Sequence, residues 1–427
     1  MKNLYAYLAY QPIVNQFKQI TGYELFYRDG SGNAARIASP AAADNATRKV
    51  ISDAFSLFDF QNETSGFFII NFTRNLVLDD FVRNADPARV VVQLTGNTKM
   101  DDALEAKLIA LRNAGYQIVL KNYTGQSHLR NYLSLFNVIR VDCKRTNSVF
   151  WREVVRKHGT PDTLFMADRI EREQDFDDAR SMDYKLFQGY YFGRPKLEQR
   201  KIPPLIQSPY GQILKTLLYV SSANDSEGQW WTQCAQIVEG DLILAYLFPR
   251  EAASLPPPPK THYTRSHDME THNIIYRMGP HQLRRWICLV FMKQRNSSGD
   301  DDLPRRAYQR GVFMDELSKR SALNVDVPSG NAFLLGVFSL LRKVTGASPQ
   351  YLLQGLQLPG ALLDALYGTA DNDYARLLQY VTRYESPNAD PDPADIRSDL
   401  SEADIDRIYR LCMTDADAAV ERMDTPV

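Results

Sequence analysis

The chain has 427 residues, of which 44% are hydrophobic and 24% are charged, as in ordinary globular proteins. The 50 Lys and Arg residues against 51 Asp and Glu residues give a net charge of −1, which excludes a strong overall field toward nucleic acid or anionic lipid. Four widely spaced cysteines with no C-x-x-C pair exclude a zinc ribbon or a disulfide framework. Because no apolar stretch is long enough to span a membrane and no secretory leader is recognisable, we expect a cytoplasmic protein.

Short apolar runs alternate with amphipathic segments over the first 200 residues. The runs predict strands at Leu4–Ala9, Tyr23–Arg28, Phe67–Asn71, Val90–Leu94, Gln117–Leu120, Val138–Val141, Leu164–Ala167 and Leu186–Tyr191. The intervening spacing predicts helices at Ala41–Phe58, Asp101–Asn113, Ser148–Lys157 and Arg172–Met182. Eight strands with mostly helical connections favour a (β/α)8 barrel at residues 1–200. Only about a dozen residues join the first two strands, so the first strand is expected to run antiparallel to the second.

The sequence changes character after Pro203–Pro204. Helical periodicity prevails and strand signals are scarce, which predicts an all-α domain at residues 205–385. Residues 386–427 carry 11 acidic residues against 4 arginines, and they begin with three prolines. We expect this acidic tail to end in a helix with Ile405, Ile408 and Leu411 on one face.

In such a barrel, reactive groups lie at the carboxyl ends of the strands. The polar residues at these positions are Glu24, Arg28, Asn71, Gln93, Lys121, Asn122, Arg140, Asp142, Asp168, Glu171 and Gln188. A divalent metal needs several oxygen donors, mostly carboxylates, but an ammonium and amides occupy the middle strands. At ~4 Å, Lys121 would repel a divalent cation by several kcal/mol. The residues therefore predict a polar pocket with no metal and no other cofactor.

Three segments resemble the EAL family of cyclic di-GMP phosphodiesterases. Gln11–Val14 (QPIV) and Gly22–Arg28 (GYELFYR) are similar to the family's opening, and Gln188–Pro195 (QGYYFGRP) is similar to its closing motif. The resemblance covers residues 1 to about 200 in the family's motif order, although this domain is shorter. It implies an EAL-type barrel with an antiparallel first strand.

The resemblance also implies which residues form the former catalytic site. Glu24 stands at the metal-binding glutamate of the signature, Asn71 matches the metal-binding asparagine, and Glu171 and Gln188 match retained positions. Gln93 replaces a glutamate ligand, and Lys121 and Asn122 replace paired aspartates. Arg140 replaces a catalytic lysine, while Asp142 is retained and Asp168 replaces a glutamate. The loss of three acidic ligands implies that the chain has no phosphodiesterase activity.

The second half resembles HDOD domains, which are related to HD phosphohydrolases but lack their metal ligands. The matching segments are Ile237–Leu244, Asn273–Gly279, Leu283–Trp286 and Leu334–Leu341. His267–Asp268 is formally an HD dipeptide, but it lies in a polar stretch that is typical of an exposed loop. An EAL-like domain followed by HDOD resembles the YuxH-type bacterial signalling proteins.

These resemblances lead to three hypotheses about function. The first is a non-catalytic scaffold that binds unidentified protein partners in cyclic di-GMP-linked control of motility, biofilm or virulence. The second is a cyclic di-GMP receptor without turnover that uses Arg28, Arg140 and Gln188. The third is a residual phosphodiesterase built on Glu24, Asn71 and Asp168. As an alternative to ligand binding, Lys121 or Arg140 can equally form salt bridges with Glu24 or Asp168, which would fit a site that has become purely structural. Nucleic acid and membrane are not expected partners, and a homodimer is left open.

Overall fold

The computed structural model describes residues 5–28, 40–54, 66–218, 220, 230–256, 271–320, 325–386 and 400–424. The chain forms two compact units, one at Tyr5–Lys201 and one within Ile202–Val427. No helix in the described ranges is long and apolar enough to cross a membrane.

The first unit is a closed barrel. Its strands are β1 (Tyr5–Asn15), β2 (Ile20–Tyr27), β3 (Phe67–Asn71), β4 (Val90–Thr95), β5 (Ile118–Tyr123), β6 (Val138–Asp142), β7 (Leu164–Asp168), β8 (Leu186–Phe187) and β9 (Lys196–Lys201). Strands β2 to β8 pair in parallel and in chain order, and β1 closes the barrel by pairing antiparallel with both β2 and β8. The predicted barrel and its antiparallel first strand are confirmed.

The first two strands and the last two differ from the prediction. Strand β1 continues to Asn15, so a four-residue turn joins it to β2 and the connection is shorter than expected. Strand β8 ends at Phe187, because the chain then turns and the Tyr191 amide bonds the Ile170 carbonyl at 3.1 Å. Strand β9 was missed because its sequence, KLEQRK, lacks alternating apolar residues; it pairs with β1 at the edge of the sheet.

Helices connect most of the strands. They are α1 (Pro40–Ser52), α2 (Arg74–Leu78), α3 (Asp102–Asn113), α4 (Ser148–His158) and α5 (Glu173–Ser181), with 3₁₀ turns at Phe81–Asn84 and Ser127–Leu135. The end of the predicted helix Ala41–Phe58 lies outside the described residues. Side chains of Asp101 and Asn147 cap α3 and α4 by accepting backbone amides of the first turn, so local sequence sets where these helices begin.

The barrel interior is built in layers. One apolar layer consists of Ile13, Ile69, Val91, Val119, Val138 and Met166, each from a different strand. Side chains alternate across a strand, so the residue two positions later faces inward again, nearer the carboxyl end. For the parallel strands β3 to β7, these later residues are Asn71, Gln93, Lys121, Arg140 and Asp168. The strand period therefore places a polar layer directly above an apolar one.

All the secondary structure in the described residues of the second unit is helical. Its helices are α6 (Pro209–Leu217), α7 (Trp230–Gly240), α8 (Leu242–Ala253), α9 (Thr271–Gln294, broken by a kink at Gly279), α10 (Leu303–Ser318), α11 (Ser329–Ser339), α12 (Leu341–Thr345), α13 (Pro349–Leu352), α14 (Gly360–Tyr367), α15 (Asp373–Tyr384) and α16 (Glu402–Asp424). Helices α10 and α11 cross closely, and a Cβ on Gly336 would lie 2.6 Å from the Cα of Gly311. Glycine at this point lets the two backbones approach one another.

The acidic tail ends in helix α16, which packs along the second unit. Its buried face includes Ile405, Ile408, Cys412 and Ala416. Leu411 was expected on this face, but 64% of it is exposed. The buried stripe advances by four residues from Ile408 to Cys412, as the 3.6-residue helical period allows, and Leu411 therefore faces outward.

Candidate functional site

A polar cluster lies at the carboxyl ends of the barrel strands. It unites Glu24 of β2, Gln93 of β4, Arg140 of β6, Asp168 of β7 and Gln188 after β8, all of them buried. Asn71 and Lys121 join it from β3 and β5. The structure thus brings together seven of the residues that the sequence singled out.

Arg140 is at the centre of the cluster and is only 3% exposed. Its Nη1 donates to Glu24 Oε2 at 2.7 Å and to Gln93 Oε1 at 3.1 Å. Its Nη2 donates to Asp168 Oδ1 at 2.8 Å and to the Gln188 amide oxygen. One guanidinium therefore bridges two carboxylates from different strands, β2 and β7, which suits its planar fork of donors.

Glu24 has three donors around its carboxylate. Besides Arg140, Lys121 Nζ lies 2.6 Å from Oε1, and Gln93 Nε2 donates to the same oxygen at 2.9 Å. The Gln93 amide also donates to Asn71 Oδ1 at 2.8 Å. The carboxylate that resembles the signature metal ligand is thus bound by two cations of the chain itself.

The charges in this cluster stabilise one another. Burial alone would raise the pKa of Glu24, but Arg140 and Lys121 lower that pKa from 4.5 to about 2. Burial likewise disfavours a charged Arg140, but Asp168 and Glu24 raise the pKa of the guanidinium. Glu24 is therefore ionised near neutral pH.

Other residues singled out by the sequence lie outside this cluster. Glu171 forms an exposed ion pair with Lys144 at 2.7 Å. Asp142 is buried, and its Oδ2 lies 3.2 Å from Arg169 Nη1. Arg28 follows the end of β2, and no hydrogen bond or ion pair of its side chain is found within the described part of the chain.

Asn122 adopts a left-handed backbone conformation with φ 59°, at a register shift in the pairing of β5 with β6. Asparagine tolerates this conformation better than most residues. Its side-chain oxygen is buried and has no hydrogen-bond partner in the part of the chain that the structure describes. The His267–Asp268 dipeptide lies outside the described residues.

Sequence reasoning missed two residues: Gln11, which contacts the cluster through Gln188, and Arg169, which pairs with Asp142 outside the cluster. Gln11 of β1 donates to the Gly193 carbonyl at 2.9 Å, and its own carbonyl accepts from Gln188 Nε2 at 3.4 Å. Arg169 bears the ion pair with Asp142 and has φ 62°. The QPIV motif was a signal for Gln11, whereas no local pattern marked Arg169.

The donor set of the described residues fits no divalent metal. Among them, no three His, Cys, Asp or Glu side chains are grouped closely enough to hold one. The two carboxylates of the cluster, Glu24 and Asp168, are both engaged by Arg140. A divalent cation at this point would lie close to the Arg140 guanidinium and the Lys121 ammonium, or would have to displace them. Coulomb repulsion disfavours such a cation.

The barrel topology, with its antiparallel first strand, agrees with the EAL-type fold that the sequence resembles. The chain is similar to the "Uncharacterized protein YuxH" of Bacillus subtilis (strain 168), with 23% identity over 392 residues, 90% of this chain and 91% of YuxH. It is also similar to "Cyclic di-GMP phosphodiesterase CdgJ" of Vibrio cholerae, with 24% identity over 356 residues, 82% of this chain and 78% of CdgJ. Both similarities extend well beyond the barrel. The resemblance of the first 200 residues to EAL proteins is confirmed, whereas the resemblance of the second half to HDOD domains stays a prediction.

The chain was also compared with protein-family models and with solved structures. No protein-family model matches the chain. Among solved structures, an EAL domain protein from Listeria monocytogenes EGD-e aligns with 18% identity, 45% coverage of this chain, 89% coverage of that chain and a TM-score of 0.37.

Proposed function

We propose that the chain is a non-catalytic regulatory scaffold in a bacterial cyclic di-GMP-linked pathway. In this proposal the barrel keeps the EAL-type fold without its chemistry, and the protein acts through contacts with other proteins. Similarity to CdgJ, which is named as a cyclic di-GMP phosphodiesterase, supports the link to this second messenger.

One observation carries the proposal: Arg140 lies between Glu24 and Asp168 and bonds both. A metal-dependent hydrolase uses such carboxylates to hold the ion that activates water. Here the same oxygens neutralise a buried arginine, and Lys121 occupies a further side of Glu24. A metal ion would have to displace these cations from the carboxylates, which would leave the buried Arg140 guanidinium without its partners. The present ion pairs therefore disfavour metal binding.

The same contacts favour the scaffold over the receptor. A receptor would use Arg140 and Gln188 on the ligand, but these side chains are buried and hydrogen-bonded to each other. Arg28 is free of described partners, but a single guanidinium is a weak basis for a dinucleotide site. A residual phosphodiesterase would have to use Glu24 and Asp168 while Arg140 holds both.

We also propose that the helical unit is an HDOD-like module that contributes partner contacts. The order of the four matching segments supports this assignment. Leu334–Leu341 includes Gly336, which lies at the close crossing of α10 and α11. A motif glycine at a helix crossing is typical of a position kept for packing.

Isothermal titration calorimetry of the full chain with cyclic di-GMP, with and without Mg²⁺, tests the proposal. The scaffold predicts no heat up to roughly 100 μM ligand and no linear dinucleotide in the mixture afterwards. Binding without product would make the chain a receptor. In that case Arg28→Ala and Arg140→Ala would weaken the binding of cyclic di-GMP. Metal-dependent linear product would establish an enzyme and overturn the proposal. The exposed-site variant Arg145→Ala is the matched control, since Arg145 is 65% exposed.

A further inference from the structure

Helix α16 contacts three other helices of the second unit, α8, α9 and α10, and ion pairs join it to each of them. We call the surface that faces it the α16 groove, which includes Glu251, Arg285, Lys293, Arg305 and Tyr308. The buried side chains of α16 recur three and four residues apart, as expected for one face of a helix. They are Ile405, Ile408, Cys412, Ala416, Ala419 and Met423. The groove therefore binds an amphipathic helix.

The charges of the groove complement those of α16. The groove offers three cations, and α16 places an aspartate beside each of them. The pairs are Arg285–Asp415 at 3.7 Å, Arg305–Asp417 at 3.2 Å and Lys293–Asp424 at 2.7 Å. The opposite polarity occurs where Arg422 Nε of α16 lies 2.9 Å from the buried carboxylate of Glu251. A helix that binds here needs acidic side chains beside its apolar face and one cation.

The contact between α16 and its groove is incompletely packed. A cavity of about 680 Å³ lies there, lined by Asp415, Ala419 and Arg422 of α16 and by residues of α8, α9 and α10. Ala416 and Ala419 give the middle of the buried face small side chains. Protein interiors are normally packed with few voids, so α16 gains less from packing than a core helix does.

Little apolar surface holds α16 in place relative to its length. Of its buried side chains only Ile405, Ile408 and Met423 are large, whereas 23 residues have to be ordered. The three aspartates of its ion pairs are 40% to 61% exposed, and exposed pairs contribute little to stability. Residues 385–401 connect α15 to α16, a length of chain that allows α16 to leave while α15 stays in place. A competing helix can therefore replace this contact.

We propose that the α16 groove is a partner-binding site, in which an acidic amphipathic helix of a partner protein binds in place of α16. The partner helix has the pattern of α16 itself, with small and apolar residues on its buried face. Its carboxylates pair with Arg285, Lys293 and Arg305, and its cation pairs with Glu251. This inference rests on the proposed scaffold function and assigns one of its protein contacts to the helical unit. Helix α16 is then a built-in competitor that lowers the apparent affinity for the partner.

The test uses the full chain and a fluorescent synthetic peptide with the sequence of residues 400–424, whose binding is measured by fluorescence anisotropy. In the unmodified chain the peptide competes with α16 and should bind weakly. Arg422→Ala in the chain takes the cation from Glu251 and loosens α16 without changing the groove. The peptide should then bind about ten-fold more tightly. The matched control Leu411→Ala alters the exposed face of α16 and should leave the affinity unchanged.

Peptide variants and hydrogen exchange test how and where the peptide binds. A peptide that carries Asp415→Asn, Asp417→Asn and Asp424→Asn should bind about three- to ten-fold more weakly, because it lacks the anions for the cations of the groove. An isotopic label on the chain distinguishes its own α16 from the peptide. When the peptide saturates the labelled Arg422→Ala chain, exchange of α16 amides should accelerate while exchange of α10 amides should not, since only α16 is displaced.

A milder variant of the chain serves if Arg422→Ala does not fold. Asp417→Asn breaks the exposed pair with Arg305 and should tighten peptide binding about two- to three-fold.

The proposal is overturned if the peptide does not bind the Arg422→Ala chain up to about 1 mM, or if the unmodified chain binds it equally well. It is also overturned if α16 amides keep their protection when the peptide is bound. Each of these results would make α16 a permanent part of the helical unit. They do not depend on the titration with cyclic di-GMP, so failure of this inference leaves the scaffold proposal standing. Conversely, a chain that binds or hydrolyses the dinucleotide can still exchange α16 for the peptide.

Discussion

Arg140 Nη1 lies 2.7 Å from Glu24 Oε2, and both side chains are almost completely buried. The two residues are 116 positions apart in sequence and meet only because the barrel closes. The arginine is also bonded to Asp168, so one cation neutralises two carboxylates in the barrel mouth. This relationship makes the stability of the barrel depend on groups that an EAL-type enzyme would use for metal binding.

Substitution of Arg140 should destabilise the barrel strongly. Arg140→Gln leaves Glu24 and Asp168 buried without their shared partner, and we expect a loss of about 3–5 kcal/mol in the free energy of unfolding. Urea unfolding followed by hydrogen exchange of β2 and β6 amides measures the loss. Arg145→Gln, which removes an exposed guanidinium from Asp142, should cost less than about 1 kcal/mol. Equal effects of the two variants would contradict the central role of Arg140.

The stability of the barrel should fall in acid because of Glu24. Its pKa is about 2 in the folded chain against 4.5 ordinarily, so the ionised carboxylate stabilises the fold above pH 4.5. This contribution, about 3 kcal/mol, is lost as the pH falls from 4.5 toward 2. The urea midpoint should therefore drop more between about pH 6 and pH 3 in the unmodified chain than in Glu24→Gln. The same drop in both chains would assign the acid sensitivity to other carboxylates.

Restoring acidic ligands should create a metal site. The variant Q93E/K121D/N122D/R140K removes the Lys121 ammonium, replaces the Arg140 guanidinium with an ammonium, and adds three carboxylates. We expect Mn²⁺ to raise its melting temperature, because an ion that binds only the folded state stabilises it. The unmodified chain and the control Lys121→Met, which removes a charge without adding a ligand, should not respond. Equal stabilisation of the unmodified chain would contradict the proposed loss of metal binding.

The close crossing of α10 and α11 should not tolerate a methyl group. Gly336→Ala places a Cβ 2.6 Å from the Gly311 Cα, on backbone that cannot move aside locally. We expect a cost of about 1–3 kcal/mol from overpacking, measured by urea unfolding of the helical unit. Gly360→Ala at the start of α14 is the control, since no atom lies within 4 Å of the added Cβ. A neutral Gly336→Ala would show that the helices separate without cost.

Helix α16 should depend on Ile408 and not on Leu411. Ile408 is 3% exposed, whereas Leu411 is 64% exposed. Ile408→Ala should therefore cost about 2–4 kcal/mol, and Leu411→Ala should change stability by less than about 0.5 kcal/mol. Thermal unfolding of the full chain and hydrogen exchange of α16 amides measure both effects. A larger effect of Leu411→Ala would mean that the outer face of α16 is covered in solution.

Much of the barrel could be predicted from its sequence because the strand pattern is local. Phe67–Asn71 coincides with its predicted strand, and the apolar runs before Gln93, Lys121 and Arg140 each form a strand of the barrel. Strand β9 could not be predicted, since its residues carry no apolar alternation and its pairing with β1 depends on chain closure. The break after Phe187 likewise depends on a long-range hydrogen bond, from Tyr191 to Ile170.

The sequence by itself determined which chemical groups stand at the strand ends, because alternation along each strand sends every second side chain inward. It identified Glu24, Lys121, Arg140 and Asp168 as members of one polar layer, and it left open whether they would bind a ligand or one another. Only the tertiary structure decided this, because ion pairs between strands depend on distances that no local pattern encodes. Closure of the barrel brings Arg140 within 2.7 Å of Glu24 and 2.8 Å of Asp168. In a buried site, where unpaired charge is costly, those distances join the charged groups to one another.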